Sequence, residues 1–126
     1  MPPVKSYRDL IAWQRAMDLV LDVYDLSRRF PDDERFGLTN QVRRASVSVP
    51  SNIAEGQGRG VGAEFAHHLR ISQGSVQEVE TQLILGARLG FVPQSRADSA
   101  LAAADEVGRL IRGLHTSIKS APRYPH

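Results

Sequence analysis

Residues 41–59 read Gln-Val-Arg-Arg-Ala-Ser-Val-Ser-Val-Pro-Ser-Asn-Ile-Ala-Glu-Gly-Gln-Gly-Arg. Val42, Ala45, Val49 and Ile53 recur at steps of three and four, the period of a helix face. Local propensity opposes that reading, because Val-Ser-Val-Pro-Ser holds β-branched residues, two serines and a proline. A proline inside a helix removes one backbone donor and crowds the carbonyl four residues earlier. Such a helix persists when tertiary packing compensates, and a kink at Pro50 is expected. Ala45, Ser46, Ser48, Ser51 and Ala54 are small enough to let a second helix approach closely. Asn52 follows Val49 by three residues and is therefore expected to point inward, where an amide needs hydrogen-bond partners. The stretch reads as the polar, closely packed centre of a helical bundle.

The same period extends on both sides. In residues 63–89, Phe65, Leu69, Ser72, Val76, Val79, Leu83, Gly86 and Gly90 step by four and three, a sustained heptad seam. Ser72, Gly74 and Ser75 form a second small-residue patch that suits the Ala/Ser surface of the second helix. In residues 9–29 there are two stripes about 100° apart. Leu10, Trp13, Met17, Val20 and Tyr24 form one; Ala12, Ala16, Leu19, Val23, Leu26 and Phe30 form the other. Either this helix sits deep, or one stripe faces the bundle and the other a second subunit. In residues 95–120, Ala100, Ala104, Val107, Ile111, Leu114 and Ile118 carry the stripe.

The connections are short. Pro31 ends the first helix, and Asp32, Asp33 and Glu34 suit the start of the next through its dipole. Glycines at 56, 58, 60 and 62 break the second helix, and Pro93 stops the third. The expected fold is all-α: one domain over residues 1–126, an up-down-up-down four-helix bundle with helices at about 9–29, 34–57, 63–89 and 95–120. Residues 1–8 read as an irregular lead-in, and Ala121 to His126 as a frayed tail.

Composition narrows the function classes. The chain of 126 residues contains no cysteine, which excludes disulfides and thiolate metal sites and fits a cytoplasmic location. No apolar run is long enough to span a bilayer, and the N-terminus does not read as a signal peptide. Fourteen Arg and two Lys against fourteen acidic residues leave a net charge of +2. That balance neither demands nor excludes a polyanionic partner.

Catalytic and metal chemistry find little support. Glu64-Phe-Ala-His67 has the Glu-x-x-His spacing of di-iron bundles, but a complete site needs a second such motif and two further carboxylates. No Gly-x-Ser-x-Gly elbow is present. The glycine-rich loop matches no phosphate-binding pattern, and no strand precedes it. Neither a cofactor nor a metal is expected, and the chain is not expected to be an enzyme. The arginines remain. Arg43 and Arg44 either pair with Glu55, Glu78 or Glu80 and set helix register, or join a basic surface that an oligomer would repeat.

Several segments carry a family likeness: Leu10-Ile-Ala-Trp-Gln-Arg-Ala, Phe30-Pro, Gly37-Leu38, Gln41-Val-Arg-Arg-Ala, Ser48-Val-Pro-Ser-Asn-Ile-Ala-Glu-Gly, and Gly74-Ser followed by Glu78. Over about residues 7–118 the chain resembles the four-helix proteins encoded in intervening sequences of bacterial 23S ribosomal RNA genes. That family includes the accessory variability determinant proteins of diversity-generating retroelements. The resemblance implies a protomer assembled into a ring-shaped homopentamer, nucleic-acid binding through a basic surface and, in the retroelement branch, a reverse-transcriptase partner.

The expected function is a non-catalytic oligomeric module that binds RNA or DNA, with Arg59, Arg70 and Arg88 as the contact residues. The alternative is a structural or protein-interaction scaffold with no nucleic-acid role. Arg43, Arg44, Asn52, Glu55, Ser75 and Glu78 are expected to form the structural polar centre.

Overall fold

Four α-helices follow one another: α1 Ile11–Ser27, α2 Leu38–Gly58, α3 Ala63–Arg88 and α4 Gln94–Ser120. Short 3-10 turns at Tyr7–Asp9 and Asp32–Glu34 precede α1 and α2. No strand occurs among the described residues. The computed structural model describes residues 6–60 and 62–120, without the side chains of residues 119 and 120. The expected lead-in over residues 1–5 and the tail from Ala121 lie outside the described residues.

Cross-helix bonds set the directions. Ser48 meets Ser75 and Asn52 meets His68, so α2 and α3 run antiparallel. Arg96 near the start of α4 reaches Asp22 and Asp25 near the end of α1, while Arg15 pairs with Glu106 at 3.3 Å. Each helix packs on its two neighbours around a square, with α1 closing against α4. This is an antiparallel four-helix bundle.

The core follows the periodicity. Val42, Ala45, Val49 and Ile53 of α2 are buried, as are Phe65, Leu69, Ser72, Val76, Val79, Leu83 and Gly86 of α3. Ala100, Ala104, Val107 and Ile111 of α4 join the same cluster, with Leu114 and Ile118 at its edge. On α1 the two stripes separate. Ala12, Ala16, Leu19, Val23 and Leu26 are buried, whereas Met17 and Tyr24 keep 39% and 38% of their surface. Leu21, in neither stripe, keeps 68%. Met17, Leu21 and Tyr24 share one face at helical spacing.

α2 stays helical through Pro50, which is buried. Its missing N–H deprives the Ser46 carbonyl of its helical donor. Dense contact with α3 compensates: Ser72 Oγ donates to the Val49 carbonyl at 2.8 Å, and the Ser48 and Ser75 hydroxyls lie 2.8 Å apart. Gly56 marks a close approach of the two helices. A methyl group there would stand 2.7 Å from His68 Cβ and 3.1 Å from Phe65 Cδ1. Gly74 behaves differently from the expected small-residue patch, with nothing within 4 Å of such a methyl.

Several boundaries move. α2 starts four residues later than expected, because Asp32–Glu34 form a separate 3-10 turn. The Glu34 carboxylate then caps α2 by accepting the Leu38 N–H at 3.1 Å. α3 is ended by Gly90, at φ 79°, and not by Pro93. Phe91 N–H returns to the Gly86 carbonyl and Gly90 N–H to that of Ala87, the paired bonds of a Schellman stop. Pro93 instead opens α4, its carbonyl accepting from the Arg96 and Ala97 amides. Residues 6–8, read as irregular, join Asp9 in a capping box in which Ser6 and Asp9 bond each other's backbone.

Candidate nucleic-acid interface

The three arginines singled out for nucleic acid do not converge in the protomer. Arg70 and Arg88 are exposed and five helical turns apart on α3. They therefore share a face about 27 Å long at 1.5 Å per residue. Neither meets a carboxylate among the described residues. Arg59 sits just past the end of α2, where its guanidinium pairs with Glu55 at 3.0 Å. Both partners are about half exposed, so the pair is weak and Arg59 is not sequestered.

The expected polar centre splits into separate units. Asn52 is half-buried; its Nδ2 donates to the Ser48 carbonyl at 2.9 Å and to Ser48 Oγ at 3.0 Å. Its Oδ1 lies 3.1 Å from His68 Nδ1, so the amide bridges α2 to α3 as expected. His68 is thus half-buried and partnered. Glu55 faces solvent in the protomer, where it pairs with Arg59.

Arg43 pairs with no carboxylate among the described residues. Its Nε donates to Ser27 Oγ at 2.8 Å, and its guanidinium lies 4.7 Å over the Tyr24 ring. This places a cation at the carbonyl end of α1, where the helix dipole favours it. Arg43 therefore fastens α2 to α1, not to Glu55, Glu78 or Glu80.

Arg44, Ser75 and Glu78 belong to an open cleft of about 390 Å³ between α2 and α3. Asn40, Gln41, Ser48 and Gln82 complete its polar lining. Arg44 and Glu78 are exposed and lack ion-pair partners among the described residues. Gln82 Oε1 is buried and receives no hydrogen bond. The spacing of Gln41 to Arg44 and of Glu78 to Gln82 already put each pair on one helix face. That the two faces meet across a cleft was not readable from spacing.

Sequence reading also missed two electrostatic ties. Arg96 joins Asp22 and Asp25, and its Nη2 donates to the Asp22 carbonyl at 3.4 Å. The Asp22 hydrogen bond raises the guanidinium's pKa above its ordinary value, offset in part by burial. Glu80 is the second. Burial first, and the nearby Asp105 charge next, push its carboxyl above the usual glutamate range, while Arg112 pulls it down. At the opposite end of α3, Glu64 and His67 are exposed beside Arg59. No group of three or more His, Cys, Asp or Glu among the described residues is placed to hold a metal. No described helix is long and apolar enough to cross a membrane.

Comparison with known proteins places this geometry. A crystal structure of a protein of unknown function from the S23 ribosomal protein family of Bacteroides thetaiotaomicron superposes with a TM-score of 0.77. The superposition covers 83% of this chain and 98% of that one at 19% identity, which shows a shared fold. No curated protein matches the chain. The family described as 23S rRNA-intervening sequence protein matches residues 8–113, nearly the whole bundle, and the chain belongs to that family.

Proposed function

We propose that the protein is a non-catalytic, self-assembling module that binds RNA or DNA through arginines repeated around the assembly. The carrying observation is the α3 face with Arg70 and Arg88 exposed and unpaired among the described residues. One chain at +2 is a weak polyanion binder. Repeating the face in an oligomer multiplies phosphate contacts without raising the charge of each chain. The open α1 face of Met17, Leu21 and Tyr24 supports self-assembly, because apolar surface left exposed by the bundle is covered in an oligomer. A homopentamer is the assembly that the family likeness favours.

Two measurements test this. Light scattering on the purified protein should give a multiple of 13.9 kDa, and Leu21→Glu should dissociate it. A clean 13.9 kDa mass for the unmodified chain would remove the assembly. In gel-shift titrations, mixed-sequence RNA and DNA should bind with a steep salt dependence and little sequence preference. Replacing Arg59, Arg70 and Arg88 together by Ala should weaken binding and flatten the salt slope while the mass stays unchanged. No shift at tens of micromolar protein in about 150 mM salt would leave the scaffold reading in its place.

A further inference from the structure

Met17, Leu21 and Tyr24 on α1 are not the only apolar side chains that the bundle leaves uncovered. On α3, Ile71, Leu85 and Leu89 keep 40%, 45% and 53% of their surface. Ile71, Glu78 and Leu85 step by seven and Leu89 by four more, so these four follow one line along the helix. Glu78 sets that line on the lip of the α2–α3 cleft. On α1, Met17, Leu21, Tyr24 and Arg28 step by four, three and four, and all are exposed. α1 and α3 are diagonal in the square and do not pack on each other, so the two seams occupy different corners of the bundle.

A twofold contact pairs a patch with itself, so it would cover one seam and leave the other in water. A head-to-tail contact sets the α1 seam of one copy on the α3 seam of the next and covers both in every copy. The spacings match when the two helices run antiparallel. Arg28, Leu21 and Met17 descend by seven and four; Glu78, Leu85 and Leu89 ascend by seven and four. We infer that α1 of one copy docks antiparallel on α3 of the next, with Arg28 at Glu78, Leu21 at Leu85 and Met17 at Leu89. The charges agree with that register. Glu78 has no ion-pair partner among the described residues, and Arg28 has only an exposed pair with Asp25 at 3.7 Å, which costs little to exchange. Arg44, Asn40 and Gln41 on the far wall of the cleft supply the polar rim that surrounds an apolar contact. Arg70 and Arg88 lie about 100° round α3 from Ile71 and Leu89, outside the contact.

This inference rests on the self-assembly reading above and names the two surfaces that meet. Light scattering would compare Leu21→Glu, which spoils the α1 seam, with Leu85→Glu, which spoils the α3 seam. Both positions are exposed, so neither change removes a core contact, and circular dichroism checks that helix content is kept. Each variant alone should stay at 13.9 kDa. Mixed in equal amounts, well above the concentration at which the unmodified chain assembles, they should form a dimer and nothing larger. One copy keeps a sound α1 seam and the other a sound α3 seam, so a single contact forms. Glu78→Arg alone should raise the protomer concentration of half-dissociation about tenfold or more, by setting like charges together. Adding Arg28→Glu to the same chain should restore it. A 13.9 kDa mass for the unmodified chain would remove the assembly and this contact together. Full mass in Leu85→Glu would overturn the contact and leave assembly standing. So would a dimer formed by either seam variant alone, the mark of a twofold contact, or a mixture that stays monomeric. Failure of Arg28→Glu to restore Glu78→Arg would overturn the register.

Discussion

Replacing Gly56 by Ala tests how closely α2 and α3 are joined. The added methyl would lie 2.7 Å from His68 Cβ, an atom fixed to the α3 backbone and unable to rotate away. Carbon atoms in contact sit at about 3.5–4.0 Å, so the helices must part locally by roughly 1 Å. Overpacking of this kind costs about 1–3 kcal/mol. The Asn52–His68 hydrogen bond lies one turn from the clash, and its loss adds about 0.5–1.5 kcal/mol. Against these stands the helix preference for Ala over Gly, about 1 kcal/mol. The expected net effect is a destabilisation of roughly 1–3 kcal/mol. Gly113→Ala is the control: that site is exposed, helical, and has nothing within 4 Å of an added methyl. It should stabilise by about 0.5–1 kcal/mol. With a urea slope of about 2 kcal/mol/M, the two midpoints should separate by roughly 1–2 M. Both variants are compared by circular dichroism at one protomer concentration, because assembly stabilises the folded chain by mass action. A Gly56→Ala midpoint at or above the unmodified protein would refute the close packing of α2 on α3.

Other changes probe the ties between helices. Arg96→Ala should cost about 1–3 kcal/mol through the loss of charged hydrogen bonds to Asp22 and Asp25, with Arg96→Lys restoring only part of the melting temperature. Asn52→Leu should cost about 1–3 kcal/mol, because His68 and Ser48 lose their partner; an unchanged melting temperature would disprove the bridge. Glu80 is raised in the folded state, so its protonated form stabilises the fold. That contribution is complete below the ordinary glutamate pKa and is lost as pH rises through the raised one. Glu80→Gln should therefore melt higher than the unmodified chain at neutral pH, by less than about 1 kcal/mol given solvent screening, and the gap should close below about pH 4.3.

The helical core was legible because burial in a bundle obeys one period. Val42, Ala45, Val49 and Ile53, and the α3 seam from Phe65 to Gly86, are buried as their spacing requires. The small residues around Pro50 likewise announced close contact with another helix, and Ser72 and Ser75 supply it. Polar partners were not legible, because a hydrogen bond is set by a few tenths of an ångström between helices distant in sequence. Arg43 meets Ser27 and Tyr24 on α1, which is neither the carboxylate pair nor the basic surface expected of it. Glu55 turned to solvent, one turn from an Asn52 that turned to α3. Periodicity places a residue on a face; only the packing of two helices decides whether that face meets a neighbour or lines an opening. The α2–α3 cleft is the clearest case. Glu78 and Gln82 share a helical step, but no spacing ties them to Arg44; the three come together because α2 and α3 are antiparallel in the register that Gly56 and the serines impose.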